Sequence, residues 1–264
     1  MTRAARLGAI VLLLLMVVAA AAPLVTSFQP EAIDLAHRRA VPSMTHWFGT
    51  DELGRDLLTR VVFGARVSLA VGLLSALIAA ALGVTIGAIS GYAGGWLDHA
   101  LMRLTDAMLS VPRLPLLMIA AAVLSPSVMQ LIILVGVAGW METARVLRGE
   151  VLSLKARDFV DAARAAGATT RRIIWCHLLP GAAPAIVVST TLAVARGILL
   201  ESALSFFGVG VQPPTASWGN MLYQAQTTMT TEPWLALFPG AFIFITAVSI
   251  NLLGEGLESR LAAG

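Results

Sequence analysis

Six long apolar runs, separated by shorter polar segments, dominate the hydrophobic pattern of this chain. A helix needs about 20 apolar residues to cross a hydrocarbon core of about 30 Å, and each run is near that length. We therefore predict six membrane-spanning helices. The runs cover approximately residues 7–28, 67–92, 101–124, 127–147, 181–205 and 234–254.

Two features of the runs concern their ends: whether the first run is a cleaved signal, and how the third run connects to the fourth. Arg3 and Arg6 precede the first run as they would in a secretory signal, and the alanines at 20–22 resemble a cleavage site. An uncleaved anchor is favoured, because the run is long for a signal and the rest of the chain is also apolar. Only Ser125 and Pro126 separate the third and fourth runs, which predicts a tight hairpin. We divide the chain into an N-terminal anchor with an extracytoplasmic segment, residues 1–60, and a five-helix core, residues 61–264.

A charged segment, residues 157–180, interrupts the apolar pattern, and we call it the charged hairpin. Asp158 is placed to cap a short helix, with Asp161 as the acidic partner of a capping box. Gly167 suits the position just after the helix end. Thr169 or the next threonine begins a second helix that meets the fifth apolar run at Pro180. A membrane protein that exposes such an element offers it to a soluble partner.

Composition agrees with a membrane protein. Hydrophobic residues make up 58% of the 264 residues and charged residues only 12%, which is too apolar for an ordinary soluble domain. The single cysteine, Cys176, excludes an internal disulfide.

The distribution of basic residues predicts the orientation. Lys and Arg are more frequent in the segments on the side of both termini, including the charged hairpin, than on the opposite side. Because basic loops stay in the cytoplasm, we predict that the termini and the charged hairpin are cytoplasmic.

Several activities are excluded by missing motifs. The sequence has no His-Glu-x-x-His, no Gly-x-Ser-x-Gly and no Gly-x-x-x-x-Gly-Lys-Ser/Thr phosphate loop, so we predict neither an enzyme nor ATP hydrolysis by this chain. The charged hairpin superficially resembles a DNA-binding helix-turn-helix. Its second helix would present Ile173, Ile174 and Trp175 to the major groove, and no nucleic acid is expected as a partner.

The charged hairpin also carries a motif of defined spacing. Asp161-Ala162-Ala163 is followed by three residues, Gly167, nine residues and His177-Leu178-Leu179-Pro180. This resembles the Glu-Ala-Ala loop of ABC-importer permeases, which continues with Gly, nine residues and Ile-x-Leu-Pro. Asp161 replaces the usual Glu and His177 the usual Ile, while the spacing is intact.

Further segments narrow the resemblance to the C-type subunit of the dipeptide, oligopeptide and nickel permease family. The chain departs at its end, where Glu255 stands for the usual Asp and an Asp-Pro tail is missing. The similar segments are residues 48–56, 63–69, 200–214, 217–219 and 251–256.

The resemblance implies an all-α type I ABC-importer permease with six transmembrane helices in the bacterial cytoplasmic membrane. Its implied partners are a homologous B-type permease, two ABC ATPase subunits that use ATP and Mg²⁺, an extracytoplasmic binding protein and a peptide. No cofactor or metal is implied in this chain. Import of nickel, glutathione or haem by the same machinery stays open, and so does an ATP-independent secondary transporter or channel.

The resemblance also implies roles for individual residues. Residues 150–180 would form the loop that couples the permease to the ATPase, with contacts from Asp158, Asp161, Ala162, Ala163, Gly167, Arg171 and Pro180.

Two ionisable residues near the fifth run are candidates for transport itself, since such groups are costly in a membrane and usually face protein or water. We expect Arg196 to face the translocation pathway and Glu201 to face the outer gate or the partner permease. A structural ion pair across helices is the alternative for Arg196. Ser217, Trp218 and Gly219 would contact the binding protein or anchor the chain at the outer interface, where Trp218 fits an aromatic belt.

Overall fold

A computed structural model describes residues 2–124 and 127–261, and thirteen α-helices account for most of these residues. A short 3₁₀-helix, Leu35–His37, and a π-helix, Ile174–Leu178, complete the described helical elements. The α-helices are α1 (Arg3–Ala20), α2 (Ala22–Val25), α3 (Leu57–Ala93), α4 (Gly95–Ser110), α5 (Arg113–Val123), α6 (Val128–Val137), α7 (Trp140–Lys155), α8 (Asp158–Ala165), α9 (Thr170–Ile173), α10 (Leu179–Gly181), α11 (Ala183–Phe206), α12 (Trp218–Ala225) and α13 (Trp234–Leu261).

Five helical stretches are long and apolar enough to cross a membrane, and a bent pair raises the number to six. The described residues contain no β-strand. The predicted all-α membrane fold is therefore confirmed. The hairpin predicted at Ser125 and Pro126 lies outside the described residues.

The third apolar run, predicted as one membrane-spanning helix, is divided into two. Helices α4 and α5 meet at an angle of 84°. Val111 is extended, with φ −82° and ψ 127°, and Pro112 follows it at the start of α5. Proline disfavours the helical conformation of the residue before it and has no N–H to continue the helix, so the run bends there.

Two other helices have boundaries that differ from the prediction. Helix α3 begins at Leu57, ten residues before the apolar run, because the Asp56 side chain accepts a 2.8 Å hydrogen bond from the Thr59 N–H. The boundary proposed at residues 60 and 61 thus falls inside α3. The fourth run is divided between α6 and α7, and α7 continues to Lys155.

Helix α3 lies at the centre of the fold and packs against α6, α7 and α11, while α13 packs between α1 and α11. Glycine brings α3 and α7 into close contact: a Cβ at Gly87 would lie 2.5 Å from the Ala144 carbonyl oxygen. Small residues of this kind let membrane helices approach closely. The charged hairpin is attached where α3 and α7 end, so this tightly packed pair is its support.

Candidate functional site

The first helix of the charged hairpin, α8, begins differently from the prediction. Arg157 is the N-cap residue, in an extended conformation, and no side chain caps the helix. Asp158 is already the first helical residue, so its predicted capping role is wrong. The Asp161 carboxylate accepts a 3.0 Å hydrogen bond from Arg164 within the same helix, and the predicted capping box is absent. Both acids still lie in the first turn, where they interact favourably with the helix dipole.

The end of α8 confirms the role predicted for Gly167, which has φ +81°. Its N–H donates to the Arg164 carbonyl at 2.9 Å, and the Ala168 N–H donates to the Ala163 carbonyl at 3.0 Å. These are the two hydrogen bonds of a Schellman motif. The turn into the second helix is therefore closed by backbone contacts.

The second helix begins as predicted, because the Thr169 hydroxyl accepts from the Arg172 N–H at 3.4 Å. It then widens into the π-helix before α10, which contains Pro180. Proline has no N–H to offer the carbonyl four residues earlier, and a π-helical turn accommodates that loss. The hairpin thus runs without a loop into α11.

One side of the charged hairpin is anchored to the membrane helices. Val160, Ile173 and Leu178 are buried and pack with Leu147 and Val151 of α7. Burial of such side chains stabilises by roughly 1.5–3 kcal/mol each, so the hairpin is a fixed part of the fold. Its opposite side is open. The predicted ATPase-contact residues Asp158, Asp161, Ala162, Gly167, Arg171 and Pro180 are exposed, and Ala163 is half-buried.

Tyr92, near the end of α3, joins three elements, and the sequence analysis did not single it out. The Lys155 ammonium group donates to the Tyr92 carbonyl at 2.6 Å and lies 5.3 Å from the centre of the ring. The Arg164 guanidinium lies 5.8 Å from the same centre. These cation–π contacts connect α3 with the end of α7 and with α8.

Arg196 forms the ion pair that was the alternative prediction, with Glu142 of α7. The other oxygen of Glu142 accepts from Arg113 of α5 at 3.1 Å, and we call these three residues the Arg–Glu cluster. Arg113 and Glu142 thus join α5 to α7. Arg196 is also 39% exposed and lines a cleft of about 560 Å³ between α7 and α11. The ion pair and a role on the translocation pathway are compatible.

Glu201 is fully buried inside this chain. Its carboxylate accepts hydrogen bonds from Ser68 at 2.9 Å and Ser205 at 2.8 Å, with Ser202 at 3.5 Å. The predicted contact of its side chain with a partner permease is therefore absent in this conformation. Sequence analysis missed the serines. Ser68 lies in residues 63–69 and the other two in residues 200–214, so the family-like segments were the available signal.

Ser217, Trp218 and Gly219 are all buried, which corrects two expectations. The Ser217 and Trp218 side chains lie inside this chain and are not free at its surface for a partner, and Trp218 does not belong to an interfacial belt. The Trp218 indole N–H donates to the Val61 carbonyl at 3.0 Å, while Ser217 and Asn220 form a capping box at the start of α12. The exposed residues of this region are 212–215, just before the motif.

The sequence matches the family described as "Binding-protein-dependent transport system inner membrane component" over residues 83–263. The chain is 39% identical to a putative peptide permease protein of Brucella suis biovar 1, over 97% of this chain and 85% of that protein. It is 38% identical to the oligopeptide transport system permease protein OppC of Bacillus subtilis, over 98% and 85% of the two chains. The dipeptide transport system permease protein DppC of Bacillus subtilis is 40% identical, over 98% and 81%.

Among solved structures, a chain of the MetNI methionine ABC transporter, in inward facing conformations, has a TM-score of 0.66 at 19% identity. The match covers 78% of this chain and 97% of that one, and it confirms the predicted fold of an ABC-importer permease. With a family match over most of its length and full-length relatives near 40% identity, the chain belongs to the binding-protein-dependent transport system inner membrane components, as its motifs predicted.

Proposed function

We infer that this chain is a permease subunit of an ATP-driven importer of di- or oligopeptides in the bacterial cytoplasmic membrane. The observation that carries this inference is the charged hairpin, which is anchored by a buried apolar side and exposes a face of acidic and small residues. Peptide cargo is supported by the names of the relatives, which are peptide, oligopeptide and dipeptide permeases. Nickel, glutathione and haem have no such support.

The exposed face of α8 is suited to dock in a groove of an ATPase subunit. Asp158 and Asp161 supply charge, and the smooth surface around Ala162 permits close approach. Local caps contribute only about 1 kcal/mol, so they keep the hairpin in shape but do not transmit work. Any displacement of α8 would be passed to α7 through the buried cluster that contains Val160 and Ile173.

Transport would follow by alternating access. ATP and Mg²⁺ are bound by two ATPase subunits, whose closure displaces the hairpins of this chain and of a homologous B-type permease. The shared cavity then changes the side to which it opens. Both termini and the charged hairpin are cytoplasmic in this arrangement.

On the outer side, we infer that residues 212–215 meet the extracytoplasmic binding protein. They are exposed, whereas Ser217, Trp218 and Gly219 hold the start of α12 from within. Glu201 connects that region to α3 through Ser68. A signal from the binding protein would thus reach the membrane helices through buried hydrogen bonds, which is the form in which we retain a gating role for Glu201.

The inference is tested by reconstituting the chain with its B-type permease, both ATPases and the binding protein in liposomes. Uptake of a radiolabelled tripeptide should require ATP and the binding protein. Uptake of nickel or haem, with no uptake of peptide, would overturn the assignment of peptide as the cargo. Flux of peptide through this chain alone, in the absence of ATP, would show that the chain is a channel or secondary transporter and not part of an ATP-driven importer.

A further inference from the structure

A cleft of about 560 Å³ lies between α7, α11 and the end of α13, and its two ends carry opposite charge. At one end lies the Arg–Glu cluster, of which Glu142 and Arg196 line the cleft. At the other end lie Glu150 and Glu258. Neither of these two acids forms an ion pair with a residue that the structure describes.

The Arg–Glu cluster has capacity for a second carboxylate. Two guanidinium groups share the single carboxylate of Glu142, which leaves one positive charge in excess. Each guanidinium carries five N–H donors, and the contact with Glu142 occupies only part of them. Arg196 is 39% exposed toward the cleft, so its remaining donors are accessible. A bound carboxylate would complete the charge balance at membrane depth, where an unpaired ion is costly.

The acidic end lies at a defined distance from this cluster. Glu142 and Glu150 are eight positions apart on α7, which corresponds to about 12 Å along the helix axis. The wall between the ends is largely apolar, with Val146 of α7 facing Val188 and Leu192 of α11. The cleft therefore offers a cation, an apolar strip and then two acids along one line.

We propose that this cleft holds the peptide in transit as a zwitterion of three or four residues. Its C-terminal carboxylate binds Arg196, and its N-terminal ammonium group lies at Glu150 and Glu258. An extended chain covers about 3.3–3.6 Å per residue, so three or four residues span about 10–14 Å, which matches the separation of the charged ends. The assignment rests on the proposed function, because it specifies how the same importer recognises its cargo.

The test compares three forms of one tripeptide in the complete importer: free, C-amidated and N-acetylated. Because the binding protein has its own selectivity, its occupancy by each form is measured by calorimetry, and uptake is expressed per loaded binding protein. Arg196→Gln should reduce the preference for the free over the C-amidated form by about tenfold, the effect of losing a charge-assisted hydrogen bond. Arg196→Lys should restore part of that preference. Glu150→Gln should instead reduce the preference for the free over the N-acetylated form.

Arg145→Gln is the matched control. Arg145 lies on the same helix and pairs with Asp106, outside the cleft lining, so its variant should keep both preferences. Binding-protein-stimulated ATP hydrolysis shows that each variant is assembled. If Arg196→Gln slows all three forms equally, or keeps the wild-type ratios, the cleft site is overturned while peptide import stands. If the wild-type importer moves no form of the peptide, the proposed function fails as well.

Discussion

The Ser68 hydroxyl donates a 2.9 Å hydrogen bond to Oε2 of Glu201, and both side chains are completely buried although 133 positions separate them. The same hydroxyl oxygen accepts a hydrogen bond from the backbone N–H of Trp218 at 3.2 Å. Ser205 repeats the arrangement: it donates to Oε1 of Glu201 and accepts from the Val211 N–H at 3.0 Å. The carboxylate thus orients two hydroxyl groups, and these hold the backbone at Val211 and Trp218 against α3 and α11.

Removing this carboxylate should destabilise the part of the fold around the start of α12. Glu201→Ala leaves buried hydroxyl groups without acceptors, and we expect a loss of about 1–3 kcal/mol in the free energy of unfolding. Glu201→Gln, which keeps one acceptor, should lose less. Thermal unfolding in detergent measures the loss, and limited proteolysis at residues 207–217 locates it. Thr191→Val is the control, since that hydroxyl bonds only Val187 of its own helix. Equal stability of Glu201→Ala and Thr191→Val would show that the hydroxyl groups do not depend on Glu201.

Replacing Gly167 tests whether the turn of the charged hairpin docks to an ATPase subunit or only shapes the hairpin. Gly167 has φ +81° and Gly208 has φ +79°, and each closes a Schellman motif at the end of its helix. A Cβ at Gly167 would have nothing within 4 Å, and a Cβ at Gly208 would make an ordinary 3.4 Å contact with Tyr223. Replacement by Ala should therefore cost a similar amount at both, about 1–2 kcal/mol for the left-handed conformation. Only Gly167→Ala should also weaken ATPase association, measured by co-purification. An equal loss of association in Gly167→Ala and Gly208→Ala would contradict docking at this turn.

Tyr92 provides a test of how α8 is joined to α3. Tyr92→Leu removes the ring that faces Lys155 and Arg164, and each cation–π contact contributes about 0.5–1 kcal/mol at an exposed site. We expect more ATP to be hydrolysed per peptide imported, because α8 is held less firmly against α3. Tyr92→Phe keeps the ring but loses the hydroxyl that bonds Thr170 and Arg164, so it should raise the ratio less than Tyr92→Leu. The measurement is the ratio of ATP turnover to uptake, and an unchanged ratio in Tyr92→Leu would remove Tyr92 from the coupling path.

The orientation of the chain is testable without disturbing it, because its single cysteine, Cys176, lies exposed in the charged hairpin. A membrane-impermeant maleimide should label it in inverted vesicles and not in intact cells. Met44→Cys in a Cys176→Ser background is the converse control, since Met44 is 94% exposed in the segment predicted to be extracytoplasmic. Labelling of Cys176 from outside would reverse the predicted topology and end the ATPase-docking proposal.

Most features that depend on neighbouring residues were predictable, although the cap expected at Asp158 was not found. The apolar runs at 67–92 and 234–254 became helices, because the hydrophobic pattern alone decides whether a segment can cross a membrane. Gly167 and Thr169 ended and began helices as expected, since such caps need only backbone groups a few positions away. The bend at Pro112 belongs to the same class: proline has local consequences, and the prediction of one membrane-spanning helix overlooked them.

Features that depend on distant partners were not predictable. Trp218 has the composition of an interfacial residue, yet α3 supplies a carbonyl at Val61 that receives its N–H in the interior. Glu201 was expected at a surface because an ionisable group avoids lipid, but serines from its own helix and from α3 satisfy it inside. Sequence alone determined the membrane class, the family and the charged hairpin, because each is written in local pattern. Only the tertiary structure decided which polar groups are buried and which are free, because that depends on which donors and acceptors folding brings within about 3 Å.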